Sequence, residues 1–374
     1  MTNPFLTTVH GEPSLPLQSD QLKLWITQRG AHLAQVTFSL PGDRSAEPYS
    51  LAPWTSDEHP DQPPVLQILR GDFFCFPFAA TPHTPHLHGE PANLNWRIDQ
   101  HQADLCKMSI DLPWCGGTID KTIQLRGGQR VIYQEHRISG VEGRFNYAHH
   151  PILHCPADQP CPVRTSPRRC GAAYAGAFTE PALGEYSILK PGSPIHEQGE
   201  VALLNGELSN IHQYPAREGF EDMVMLAADT SQPLGWTAVT FPGYVWIALR
   251  SIRQFPVTLF WLTNGGRHQA PWCGRHRHRL GVEDAAAFHH GGPMTPEAQK
   301  LADQGLYYQP SFKANQTTVL RHTQFVHPVY GQPGLAALKP IPGQEAIELT
   351  FEDGQTTQAA VDWTWLLEPD QNPS

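Results

Sequence analysis

Apolar residues in this chain come in short runs that alternate with polar ones, and proline or glycine cuts the runs every few residues. Leu22-Lys23-Leu24-Trp25-Ile26-Thr27 is the clearest case: Leu22, Leu24 and Ile26 share one face of an extended strand. Similar runs recur over Leu33 to Leu40, Trp96 to Asp99, Leu105 to Ile110, Gly117 to Leu125, Arg130 to Ile138, Met223 to Ala227, Gly235 to Phe241, Tyr244 to Leu249, Val257 to Thr263 and Ala346 to Phe351. Gly127-Gly128, Pro242-Gly243 and Asp353-Gly354 stand where hairpin turns belong. Val65 to Leu69 reads as a further strand, and Thr356 to Trp365 as the second arm of a closing hairpin. Pro41 to Pro64 and Cys155 to Arg169 read as surface loops. Only Thr295-Pro296-Glu297 makes a good helix start, with a stop at Gly305. Strand after strand with so little helix predicts an all-β chain, sheet packed on sheet, with one or two short helices. No repeat or linker divides the 374 residues. A single domain is expected, with 1–20 and 366–374 loosely ordered.

Composition narrows the function. A formal net charge of -10 argues against a nucleic-acid partner. No apolar run is long enough to span a membrane as a helix, and the first 21 residues carry no secretory pattern. The seven cysteines are irregularly spaced without a C-x-x-C pair, so a disulfide framework is not expected. A cytoplasmic protein, monomeric or homodimeric, is the simplest reading.

Five places carry residues suited to chemistry. Arg70 ends an apolar run and precedes Gly71; its fork of donors suits hydroxyls or carboxylates, a surface acid among them. His86 and His88 share one face if that segment is a strand, which permits a metal or a sugar contact. His149 and His150 are adjacent, so only one of them faces a given pocket. Glu221-Asp222 is an acid pair before an apolar strand. Glu283 follows Leu280-Gly281-Val282, and a carboxylate buried there would have its charged form disfavoured, as a general base requires. Arg275, Arg277 and Arg279 alternate beside it, as partners, as a phosphate site, or as a solvated edge.

Together these segments resemble the aldose 1-epimerases, including galactose mutarotase and the glucose-6-phosphate 1-epimerase-like branch. Arg70-Gly71-Asp72-Phe73-Phe74-Cys75-Phe76-Pro77 is similar to that branch's Arg-Gly-Gly-x-x-x-Cys-x-Pro segment, with Asp72 in place of a glycine. His88-Gly89 ahead of Asn95-Trp96 resembles the next segment. His150-Pro151 resembles the mutarotase His-Pro-Tyr-Phe motif, with Ile152-Leu153 in place of the aromatic pair. Asp222 and Glu283 are similar to the later acids, and the order Arg, His, His, Asp, Glu is the family's.

The resemblance implies a galactose mutarotase-like β-supersandwich with a sugar cleft on one broad sheet. It implies Glu283 as general base on the anomeric hydroxyl and His150 as general acid at the ring oxygen. Arg70, His88 and Asp222 would hold sugar hydroxyls, with no metal and no cofactor. The expected activity is interconversion of the anomers of an aldose or aldose derivative, free or phosphorylated, by ring opening. A non-catalytic carbohydrate-binding protein on the same fold is the alternative, and a metal-dependent β-sandwich enzyme a third reading. The first two separate on whether His150 and Glu283 face one pocket.

Overall fold

The computed structural model describes residues 5–289, 303 and 309–367. Two large antiparallel sheets dominate. The nine-stranded sheet runs in the order Gln213–Tyr214, Cys161–Thr165, Leu234–Phe241, Tyr244–Ser251, Thr318–Pro328, Val131–Ser139, Gly117–Gln124, Leu105–Leu112, Arg97–His101. The seven-stranded sheet runs Arg168–Ala173, Glu221–Ala228, Val257–Thr263, Arg279–Ala286, Tyr147–His149, Phe74–Cys75, with Ile152–His154 also paired to Arg279–Ala286. Alternation decides what each face does. Ile132, Ile138, Leu320 and Val326 of the first sheet meet Val224, Leu226, Phe260, Leu262, Leu280 and Val282 of the second in one core.

Two smaller sheets flank these, and two two-stranded ribbons, Gly143–Arg144 with Ser311–Phe312 and Glu200–Ala202 with Leu208–Asn210, complete the described body. Thr7–Val9, Glu12–Gln18, Leu22–Thr27, Leu33–Leu40 and Arg44–Ala46 form a five-stranded sheet whose inward leucines join the main core. Leu335–Pro340, Ala346–Phe351 and Thr356–Ala360 cover the outer face of the nine-stranded sheet, with Ile347, Leu349 and Phe351 against Tyr133, Trp236 and Ile247.

Several local expectations are corrected. Residues 7–18 are not loose: Ser14 to Gln18 pairs with Lys23 to Thr27, Glu12 to Ser14 pairs with Thr7–Val9, and Leu15 and Leu17 are buried. Val65 to Leu69 is not a strand; Pro64–Gln67 forms one helical turn, with proline at its start and the Val65 amide donating to Asn93 Oδ1. The segment from Cys155 to Arg169 is not all loop. Cys161–Thr165 and Arg168–Ala173 are strands near the sheet edges, where prolines and charges are tolerated. Trp363–Leu367 ends the closing hairpin as a helical turn. His86 and His88 lie in a turn ahead of the short helix Gly89–Asn93, so they share no strand face. The helix expected from Thr295 lies outside the described residues. All seven cysteines are free, and no described helix is long and apolar enough to cross a membrane.

Candidate functional site

The face of the seven-stranded sheet turned away from the nine-stranded one is the floor of a cleft. Glu283 pairs across the ladder with Leu259, Gly281 with Trp261, and Trp261 with Met223, which puts a carboxylate beside a broad apolar patch. Gly281 has a local reason. A Cβ there would come within 2.9 Å of the Trp261 Cβ and 3.1 Å of Glu283 Oε1, so only glycine leaves the indole and the carboxylate side by side.

His150 follows the strand Tyr147–His149 and projects to the same side. Its Nε2 lies 3.4 Å from Glu283 Oε1. Phe73 stacks on its ring at 4.6 Å between centroids, and Trp261 meets the ring edge-on at 5.9 Å. Glu283 is fully buried, and neither of its oxygens accepts a hydrogen bond among the described residues. Burial alone pushes its carboxyl up from 4.5 to about 8. The pair lines a cavity of about 490 Å³ together with His88, Trp261, Trp272, Phe178, Arg267, Glu185 and Gln269, walled by Leu66, Leu69 and Leu87. That is within the usual range of small-molecule sites.

His88 takes a left-handed backbone (φ 66) at the start of Gly89–Asn93. Its Nδ1 accepts the Ala79 amide at 3.1 Å, so the neutral ring carries its proton on Nε2. Burial, then the neighbouring His150 and His32, holds its pKa well below the ordinary 6.5.

Two of the five expected residues are not in the cleft. Arg70 is buried, and its guanidinium donates to the backbone oxygens of Ile68, Val9 and His10 at 2.8, 3.0 and 3.0 Å. It ties the first hairpin to the body instead of reaching a ligand. Asp222 lies on the Val224 side of its strand, opposite to Met223. Its Oδ1 accepts the amides of Ile188 and Leu189 at 3.1 and 3.0 Å, and it stands in a neighbouring hollow with Tyr174 and Tyr186.

The preceding residue, Glu221, takes the cleft-side position. It accepts Trp261 Nε1 at 2.9 Å, Thr263 Oγ1 at 2.8 Å and the Gly266 amide at 3.3 Å, so it holds the indole and the turn that carries Arg267. Burial raises its carboxyl to about 7 against the pull of Arg267. Arg267 itself was not marked by any sequence pattern beyond its place after Gly265-Gly266. It pairs with Glu185 at 3.2 Å and lies over the Trp272 and Phe178 rings at 5.1 and 5.3 Å.

The arginines at 275, 277 and 279 do not share one strand face. Arg275 pairs with Glu58, Arg277 with Glu218, and Arg279 is buried against Ser50. One group among the described residues, Asp72, His149 and His322, has its ligand atoms within 4.8 Å of one another, a spacing that suits an ion. Its atoms are already engaged with one another and with the surrounding side chains, except His149 Nε2, which has no hydrogen-bond partner among the described residues. Asp72 Oδ2 accepts Gln134 Nε2, Gln324 Nε2 and His149 Nδ1, and His322 Nε2 faces Asp284. The donor set therefore does not fit a metal.

No protein-family model matches this sequence, and no curated protein is detectably similar to it in sequence. Solved structures are similar in shape. A galactose mutarotase-like protein from Lactobacillus casei superimposes with a TM-score of 0.53 at 13% identity, over 84% of this chain and 100% of that one. A galactose mutarotase related enzyme from Lactobacillus acidophilus gives 0.55 at 11% identity, over 85% and 99%. An aldose epimerase homologue from C. elegans gives 0.52 at 13% identity, over 85% and 99%. Sheet order, cleft and these likenesses together give the chain the galactose mutarotase-like fold.

Proposed function

We propose that the protein is an aldose 1-epimerase acting on an unphosphorylated sugar. The observation that carries this reading is the 3.4 Å approach of His150 Nε2 to the otherwise unpartnered Glu283 Oε1 inside one cavity. Opening a cyclic hemiacetal removes a proton from O1 and delivers one to O5. Both atoms are bonded to C1, so acid and base must stand close together. A buried carboxylate with a raised pKa is a strong base once ionised, and an imidazole ordinarily titrates near neutrality. Glu283 takes the O1 proton, His150 protonates O5, the free aldehyde turns about C1–C2, and closure reverses the roles. His88 donates from Nε2 to a sugar hydroxyl, and Trp261 with Trp272 offers aromatic faces to the ring's C–H side. A purely binding role needs no such acid–base contact.

Charge favours a neutral sugar. Among the described lining residues Arg267 is the one permanently charged cation, and Glu185 already pairs with it. The test is anomer exchange by NMR on common hexoses and their 6-phosphates. Faster exchange for one or more neutral aldoses is expected. Exchange no faster than in buffer for every sugar would overturn the reading.

A further inference from the structure

The residue before His150 and the residue after Glu283 both point away from the cleft, and both end in one network between the sheets. Asp72 is its centre. Its Oδ2 accepts Gln134 Nε2 and Gln324 Nε2 at 2.6 Å each and His149 Nδ1 at 3.0 Å, while its Oδ1 accepts the backbone N–H of His150 at 3.0 Å. Gln324 is fixed in turn, because its Oε1 accepts the Tyr49 hydroxyl and that hydroxyl accepts Trp246 Nε1 at 3.1 Å. Gln324 Nε2 also lies 3.3 Å from His322 Nδ1, and His322 Nε2 lies 2.9 Å from Asp284 Oδ2. Thr258 and Arg250 close the network on Asp284 at 2.6 and 3.0 Å. These polar side chains are all buried.

The path thus runs from the backbone of His150 to the residue beside Glu283. His150 needs such an anchor. It lies past the last paired residue of its strand, and Pro151 after it has no N–H to offer. Its own amide is shared between Asp72 and the Phe73 carbonyl, both at 3.0 Å. A charged acceptor makes the stronger half of that bond. The similar family segment has glycine at position 72, which can make none of these contacts.

We propose that Asp72 is a positioning residue for the acid–base pair, riveting the end of the strand Tyr147–His149 to the nine-stranded sheet and so fixing where His150 stands over Glu283. The inference rests on the reading of that pair as catalytic. Displacements of an ångström at a reacting centre cost on the order of a hundredfold in rate. Binding of the sugar relies on the other walls of the cleft and is spared.

The test compares the wild type with Asp72→Asn and His149→Gln, each checked for fold by circular dichroism. For Asp72→Asn, kcat for anomer exchange falls by roughly tenfold to a hundredfold with KM within twofold. His149→Gln, which keeps the carboxylate, falls less. A second readout needs no turnover: the backbone amide and ring signals of His150 in ¹⁵N NMR shift in Asp72→Asn. If the wild type is inactive, the proposed function fails while this readout still decides the clamp. If Asp72→Asn does not fold, His149→Gln decides through the His150 ring signals alone, since its amide shifts with any change at 149: moved ring signals uphold the clamp and unmoved ones overturn it. A folded Asp72→Asn with unchanged His150 signals and unchanged kcat also overturns it.

Discussion

The two faces of the seven-stranded sheet treat the same kinds of residue in opposite ways. Glu283 and Asp284 are neighbours on one strand, both fully buried. Asp284 faces inward to Arg250, Thr258 and His322, and although burial would raise its pKa, Arg250 and those bonds hold it below the ordinary value. Glu283 faces the cleft without such partners and is raised to about 8. His149 and His150 divide in the same way, one bonded to a core aspartate and the other set against the cleft carboxylate. A buried charge that is fully partnered is structural. One left unpartnered costs stability and is kept where chemistry uses it.

The division between the two faces makes five measurable demands. Glu283→Gln should lower the anomer-exchange rate by about 10²–10⁴-fold, measured by polarimetry; a rate within threefold of wild type would remove Glu283 from the mechanism. Asp284→Asn should cost roughly 3–5 kcal/mol in urea unfolding, because Arg250 is left buried without its counter-charge. Glu283→Gln should act in the other direction on stability. A carboxyl raised from 4.5 to about 8 binds its proton more tightly in the folded state, so wild-type stability falls as pH rises through that window. The variant's advantage should therefore grow from pH 5 to pH 9, reaching about 1–3 kcal/mol, and a constant difference would contradict the raised value. The same titration predicts a bell-shaped kcat/KM: it climbs as the Glu283 carboxylate becomes populated and falls again as the His150 imidazolium loses the proton it must deliver. The smallest effect belongs to Arg70→Met: KM should stay within twofold while the melting temperature drops, since that guanidinium holds backbone oxygens and touches no part of the cleft.

The sheets were legible in the sequence because half-buried antiparallel strands write alternation into the chain, as over Leu22–Thr27 and Gly117–Gln124. Val65 to Leu69 reads as a strand because four apolar residues in five fit a strand or a helical turn equally well, and the Asn93 side chain that decides the matter is remote in sequence. His150, Glu283 and His88 were legible through their local motifs. Arg70 was not, because its partners Val9 and His10 lie some sixty positions away, and no local pattern shows that a guanidinium is already used. Asp222 missed by one residue. In an acid pair the face follows from ladder register, and register belongs to the partner strand. Arg267 sits in a turn with no periodicity, so only the fold brings it to Glu185.

Trp261 and Trp272 line the cleft, and Trp261 is held by Glu221 through its indole nitrogen. These two indoles are a built-in optical gauge. Filling the cavity displaces solvent beside them, so emission reports occupancy whether or not the guest is converted. Sugars interconvert on their own in water, which blurs any assay of slow turnover; a fluorescence titration, with the Trp261→Phe, Trp272→Phe double variant as its blank, ranks guests free of that background.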